Sequence, residues 1–302
     1  QQIAHSREIL AKIRTKAFIS MLSGREKAAN GNIPVFVWNP HPYKVKKIIE
    51  CEVQLAEPRH DTYIDISVYD GSKKLVSQIE HEASNLSFEW RKKVAFAVEL
   101  PPCSIKRFEF FPEESVHVNH ADNVVISQKH ITIDNGTMKL VINRYTGLLY
   151  SYSIDGVDYI RPGASKVMVM RDNADSWETV ARKFRKKTGS FTRMSRNDVA
   201  DVTGGYTKNI AAVRIIESGP VRTVVEALFK YKKSTLRIHY LVPGTGSEIE
   251  LKMQMLNREP NCMFKLSIPF ADKDSTCSLQ DIFGIKDAGS SGEEKVFNQW
   301  CA

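Results

Sequence analysis

Several features that would fix a membrane role or a location outside the cell are missing from this sequence of 302 residues. No stretch reaches the roughly 18 consecutive apolar residues that a membrane-spanning helix requires. Residues 1–14 are polar and mixed in charge, so they hold no apolar core of a secretion signal. The five cysteines are odd in number and form no Cys-x-x-Cys pair, which favours free thiols in a reducing compartment. We therefore expect a cytoplasmic protein without membrane contact.

The common catalytic signatures are also missing. The sequence contains no Gly-x-Ser-x-Gly nucleophile elbow and no glycine-rich loop that would cradle a phosphate. Pairs of carboxylates, which a glycosidase needs as acid and nucleophile or base, do occur at Glu113-Glu114 and at Glu248 and Glu250. Neither pair lies beside a pocket signal. We interpret both pairs as charges that face solvent.

The chain is basic, with a formal net charge of +8. Its densest basic cluster consists of Arg182, Lys183, Arg185, Lys186 and Lys187. A basic run can bind nucleic acid, but this one lacks the interleaved aromatic residues on which bases of a single strand would stack. The cluster therefore predicts a solvated loop, and we expect no nucleic-acid partner.

The pattern of apolar residues changes from helical to extended near residue 29. Before it, one apolar stripe at helical spacing indicates a helix that ends at Ser23-Gly24; its members are Leu10, Ile13, Ala17, Phe18, Met21 and Leu22. A single amphipathic helix cannot bury its stripe alone. It must pack on the β domains or on helices outside this chain.

After residue 29, apolar and polar residues alternate in short runs separated by turn signals. This pattern predicts antiparallel strands with one buried face, and the Asn135-Gly136 pair predicts a tight hairpin. We expect a mainly β fold in three parts: 1–28 as the end of a helical bundle, 29–115 as a small β-sandwich, and 116–302 as a large, incomplete antiparallel β-sandwich. Residues 112–122 are interpreted as a linker, and residues 194–209 as a long loop.

The segment from His117 to Asp122 is a candidate metal site. His117, His120 and Asp122 are ligand types that suit zinc and other transition metals. The surrounding residues favour an extended chain, in which positions three apart point to opposite faces. We therefore interpret the segment as a linker between domains, and metal binding stays the alternative.

The segment that begins at Asp172 is a candidate sugar-binding loop. Asp172, Asn173, Asp175 and Trp177 follow an apolar strand and bring carboxylates, an amide and an indole together. Carboxylates and amides hydrogen-bond to vicinal hydroxyls, and an indole stacks on the apolar face of a sugar ring. Aspartate and asparagine also favour ordinary turns, so the composition alone leaves a structural turn open.

Eight further segments, in this order along the chain, resemble those of glycoside hydrolase family 38, the α-mannosidases. They are Val35–Pro40, Pro101–Phe110, Ile133–Gly136, Tyr145–Leu149, Ile154–Gly156, Gly219–Arg222, Phe264–Pro269 and Asn298–Trp300. The Asp172–Trp177 segment is similar to the Asp-Asn-x-Asp-x-Trp stretch of bacterial members. The resemblance covers nearly the whole chain, and the order of its segments is specific.

The resemblance implies that this chain is the C-terminal, β-rich portion of a retaining α-mannosidase, with a mutarotase-like large sandwich. Family members bind zinc through residues located before the helix that opens this chain, where the nucleophilic aspartate also lies. The resemblance thus implies no catalytic residue, metal ligand or cofactor in this chain, and zinc in the parent enzyme. It implies that Asp172, Asn173, Asp175 and Trp177 contact substrate.

The partners implied are a mannose-containing oligosaccharide or glycoside and the N-terminal catalytic domain. A second copy of the chain is a further candidate partner. An alternative from another functional class is an autonomous carbohydrate-binding or scaffolding module with the same sandwich topology and no catalysis. An upstream α/β domain with a His-x-Asp motif in the parent open reading frame would favour the enzyme.

Overall fold

The computed structural model describes residues 2–25, 27–29, 31–57, 62–82, 90–115, 123–172, 184–204, 209–272, 276–289 and 294–302. In this part of the chain, strands far outnumber the two helices, and the sheets are antiparallel. The predicted mainly β fold with an N-terminal helix is confirmed. The chain divides into two compact units, Gln1–Val116 and His117–Ala302. None of the described helices is both long and apolar enough to cross a membrane.

The first unit opens with helix α1, Gln2–Leu22, which has no buried residue. Gly24 follows with a φ of +80°, the left-handed conformation that commonly ends a helix. Members of the predicted apolar stripe differ in their surroundings. The Phe18 ring stacks on Trp38 with centroids 6.3 Å apart, whereas Leu10 and Ile13 are 65% and 59% exposed.

Two antiparallel sheets form the rest of the first unit. The four-stranded sheet has the order β1-β7-β3-β4 and the three-stranded sheet the order β2-β6-β5. Their apolar faces share one core, in which the Phe96 ring meets those of Phe108 and Phe110 edge to face. The strands are β1 Ile33–Asn39, β2 Val45–Gln54, β3 Tyr63–Asp70, β4 Lys73–Lys74, β5 Ser77–Glu80, β6 Arg91–Leu100 and β7 Ser104–Ser115.

Strand β7 extends further than the sequence predicted. Residues 112–115, interpreted as the start of a linker, continue this strand, and Pro112 lies opposite Ile66 of β3. Glu113 and Glu114 are therefore strand residues, and their side chains alternate between the two faces of the sheet. The Glu113 carboxylate accepts a hydrogen bond from the Ser67 hydroxyl.

The second unit contains fifteen described strands and helix α2, Arg196–Val202. A five-stranded sheet has the order β12-β11-β10-β9-β8; the β13 sheet has the order β14-β13-β20; and the β17 sheet has the order β15-β17-β18-β19, with β16 also paired to β17. The strands are β8 Val124–Ile126, β9 His130–Asp134, β10 Met138–Asn143, β11 Leu149–Ile154, β12 Val157–Asp158, β13 Lys166–Arg171, β14 Lys187–Ser190, β15 Thr192–Arg193, β16 Val213–Ser218, β17 Arg222–Tyr231, β18 Ser234–Pro243, β19 Glu250–Leu256, β20 Cys262–Ser267, β21 Ser278–Asp281 and β22 Gly284–Asp287.

One apolar core joins these three large sheets, with buried members on β9, β10, β13, β17 and β18. Tyr240 is its largest fully buried side chain. Its hydroxyl donates a hydrogen bond to the Gly147 carbonyl at 2.9 Å and lies 2.7 Å from the Ser165 hydroxyl. Burial raises the pKa of Tyr240, so the phenol stays protonated and donates.

The predicted hairpin at Asn135-Gly136 joins β9 to β10, and Gly136 has a φ of +83°. The Asn135 side chain does more than shape this turn. Its amide nitrogen donates to the carbonyls of Pro243 and Gly246 at 2.9 and 2.8 Å. The hairpin is thereby tied to the chain that connects β18 to β19.

The predicted long loop over residues 194–209 is wrong in part, because residues 196–202 form α2. Ser195 and Asp198 build a reciprocal capping box at its start, which satisfies backbone N–H groups that have no partner within the helix. Val199 is fully buried beside Met194 and Leu228, so α2 covers part of the β17 sheet. Residues 205–208 lie outside the described part.

Candidate functional site

The candidate sugar-binding loop begins at one end of the β13 sheet. Strand β13 ends at Arg171, whose backbone N–H donates to the Lys186 carbonyl at 2.8 Å. The next N–H, that of Asp172, donates to the Asn261 carbonyl at 2.9 Å. These two bonds hold Asp172 between the segments that enter β14 and β20. Its side chain is partly exposed at this edge.

The chain returns to the same edge at Phe184, which is 4% exposed. The Lys265 ammonium group, on β20, donates to the Phe184 carbonyl at 2.7 Å and also pairs with the Glu294 carboxylate. Asp172 is therefore fixed to its neighbouring segments by a backbone hydrogen bond, and Phe184 is fixed to β20 by a bond from the Lys265 side chain.

Charged side chains are concentrated at this edge. Arg171 and Lys186 are exposed next to the partly exposed Asp172, and Arg185 and Lys187 flank Lys186. Carboxylates accept hydrogen bonds from hydroxyls, and guanidinium and ammonium groups donate to their oxygens. The edge therefore presents both kinds of partner that a polyhydroxylated ligand uses.

The other residues predicted to contact substrate, Asn173, Asp175 and Trp177, lie outside the described residues. The same is true of the candidate metal ligands His117, His120 and Asp122. Among the described residues, no group of three or more histidines, cysteines and carboxylates is arranged to hold a metal ion. No chemical step is therefore assigned to a metal among the described residues.

A charged cluster that the sequence did not predict lies on the β17 sheet. The Glu226 carboxylate is 7% exposed and binds the Arg214 guanidinium at 2.6 Å through one oxygen and His239 Nε2 at 3.1 Å through the other. Burial raises the pKa of Glu226, but the hydrogen bond from His239 and the charges of Arg214 and Arg237 outweigh it and lower the pKa on balance. Glu226 is therefore ionised at neutral pH.

The sequence feature that could have predicted this cluster is a carboxylate inside an apolar run. Glu226 interrupts the sequence Val224-Val225-Glu226-Ala227-Leu228. Charged residues are almost never fully buried without a partner, so a carboxylate at such a position is expected to pair with a cation or a hydrogen-bond donor. His239 is 13 residues away, and only the pairing of β17 with β18 places it directly opposite Glu226.

Comparisons with known proteins give this chain no family. No protein-family model matches the sequence. No curated protein matches it either.

Proposed function

We propose that this chain is the C-terminal β-sandwich portion of a retaining, zinc-dependent α-mannosidase, and that it supports and partly lines the active site. The observation that carries this proposal is the order of the segments resembling glycoside hydrolase family 38, which runs from Val35 to Trp300. The mainly β fold with an N-terminal helix agrees with the architecture that the resemblance implies.

Three of the resembling segments contain residues that hydrogen-bond to distant segments of the second unit, which supports the proposal. Asn135 ties its hairpin to the β18–β19 connection. Gly147 receives the hydrogen bond from the buried Tyr240. The segment that resembles the family's Asp-Asn-x-Asp-x-Trp stretch begins at Asp172, where exposed charges gather at a sheet edge.

Under this proposal the catalytic groups and the substrate-binding loop lie in different parts of the parent protein. The metal and the nucleophilic aspartate belong to a domain that precedes α1 in the parent protein, and zinc there polarises sugar hydroxyls. The present chain binds and orients the substrate through the loop from Asp172 to Trp177. It supplies neither nucleophile nor metal ligand.

The test compares this chain with the parent protein expressed from its complete open reading frame. Hydrolysis of p-nitrophenyl α-mannoside and zinc content are measured for both. We expect the parent to hydrolyse the substrate and to retain zinc, and the isolated chain to show no turnover with or without added zinc. A parent protein without zinc and without α-mannosidase activity would contradict the proposal, as would turnover by the isolated chain at the parent's rate.

The second candidate is an autonomous carbohydrate-binding or scaffolding module. One observation favours it: each of the two units has its own apolar core, so each has the packing of an independently folded domain. Saccharide binding by the isolated chain, together with a parent protein that has no glycosidase activity, would select this candidate.

A further inference from the structure

A row of charged side chains crosses the β17 sheet from edge to edge. Arg214 of β16 lies opposite Glu226 of β17, which lies opposite His239 of β18, which lies opposite Lys252 of β19. Residues directly opposite each other in antiparallel strands have Cβ atoms about 4.5–5.5 Å apart. The four side chains are therefore neighbours on one face.

This face is the outer one. The residues that flank Glu226 and His239 in sequence, including Val225, Ala227, Ile238 and Tyr240, belong to the apolar core, so the row points the other way. Outer faces of antiparallel sheets are usually solvated. Here Glu226 is 7% exposed and His239 is 22% exposed at their side chains. A buried ion pair is weak evidence for a purely stabilising role, because desolvation offsets its attraction.

The cluster fixes the orientation of the His239 ring. An ionised carboxylate only accepts hydrogen bonds, so the Nε2 atom that contacts Glu226 carries a proton. The second oxygen of Glu226 lies 2.6 Å from the Arg214 guanidinium, in an ion pair. The Nδ1 atom is turned away from Glu226, and without a proton it accepts a hydrogen bond from an O–H group of a ligand.

Donor groups surround His239 on the solvent side. Lys252 is directly opposite it, and Arg237, two residues earlier on β18, is on the same face; both are exposed. Gln254 lies opposite Arg237 and accepts a hydrogen bond from it, which orients the guanidinium group. Glu250, two residues before Lys252 on β19 and opposite Leu241, is on the same face.

We infer that Arg237, His239, Lys252 and Gln254 form a binding site for a compact oxyanion that keeps a proton, a hydrogen phosphate group. A guanidinium presents parallel N–H groups that match such an anion, and an ammonium adds a point charge. The cations Arg214, Arg237 and Lys252 near the one carboxylate of Glu226 disfavour a metal ion at the same place. This site is separate from the Asp172 edge and does not depend on the proposed mannosidase function.

The test is a titration of the whole chain with inorganic phosphate and, separately, with acetate, at constant ionic strength set with chloride. The readout is NMR of [13C]histidine-labelled protein, with the His239 signal assigned from the His239→Gln variant. We expect a saturable shift of the His239 signal. Arg237→Gln and Lys252→Gln should each weaken the apparent affinity about tenfold or more, the loss expected for one charged hydrogen bond.

Lys139→Gln on β10 is the matched control, since it removes an exposed cation from another sheet of the same unit and should leave the affinity unchanged. Saturation by phosphate alone would support a site for a protonated oxyanion, whereas equal saturation by acetate would contradict the acceptor role of His239. No saturable shift with either anion would overturn the inference. Equal weakening by the Lys139 variant would do the same, because it would show only the effect of net charge.

Discussion

Strand β17 and helix α1 are both long elements with many apolar residues, yet they differ completely in burial. Eight consecutive residues of β17, from Arg222 to Phe229, are buried. Helix α1, with 21 residues, has no buried residue. Strand β17 lies inside its sheet, its inner face packs on the apolar core, and α2 packs over part of the outer face.

The helix has far less to pack against in its own unit. In the described part of the chain, its aromatic contact is the stacking of Phe18 on Trp38, near its C-terminal end. Periodicity shows which side chains share a face, but burial depends on what lies opposite that face. Substitutions around β17 should therefore change the free energy of unfolding, whereas substitutions on the open face of α1 should change association.

The largest effect is expected for Gly147→Ala. Gly147 has a φ of +74°, and an added Cβ would lie 2.9 Å from the ring of Phe229 on β17. Left-handed backbone costs a non-glycine residue about 1–2 kcal/mol, and overpacking adds about 1–3 kcal/mol. Denaturant unfolding should show a loss of about 2–5 kcal/mol.

Gly136→Ala is the control for that loss. Its φ is +83°, but nothing lies within 4 Å of the added Cβ, so only the backbone cost of about 1–2 kcal/mol applies. Equal losses for the two variants would show that close packing of Gly147 against Phe229 does not matter.

Tyr240→Phe should have the next largest effect. The change removes the hydroxyl that donates to the Gly147 carbonyl and contacts the Ser165 hydroxyl, and both groups lie in the interior. A buried polar group left without its partner costs about 1–3 kcal/mol. Tyr159→Phe, at a side chain 47% exposed, should change the free energy of unfolding by no more than about 0.5 kcal/mol. A Tyr240 variant as stable as wild type would refute the role of this hydrogen-bonded pair.

The smallest effect on stability is expected on α1. Replacing Leu10 and Ile13 by glutamine changes exposed positions, so the free energy of unfolding should stay within about 0.5 kcal/mol per site. Exposed apolar patches mark interfaces, and the same double variant should reduce self-association or the binding of a hydrophobic dye. A wild-type chain that is monomeric at all concentrations and binds no dye would contradict this.

Sequence patterns predicted the elements whose signals are local. The Asn135-Gly136 pair predicted a tight hairpin, and the hairpin forms there with a positive φ at Gly136. Helix α2 was missed although its capping box, Ser195 with Asp198, is also local, because seven residues are too few to show helical periodicity.

Features that depend on pairing between distant strands could not be predicted in the same way. Glu226 was visible as a carboxylate in an apolar run, but its partners are identified only by the register of β16, β17 and β18. For the candidate sugar-binding site, the sequence predicted residue types, and the structure adds the anchoring of Asp172 to Asn261. The contacts of Asp175 and Trp177 with substrate stay predictions.

The most direct test of the claim that this sandwich lines an active site is Asp175→Ala in the full-length parent protein, with kcat/KM for an α-mannoside and Tm measured on the same preparation. Losing a hydrogen bond between a charged group and a sugar hydroxyl costs about 1.5–3 kcal/mol, so kcat/KM should fall about ten- to a hundredfold. Zinc content and Tm should not change. A lowered Tm with unchanged kcat/KM of the folded fraction would instead identify a structural turn. Unchanged kinetics in the Asp172, Asp175 and Trp177 variants alike would contradict the claim.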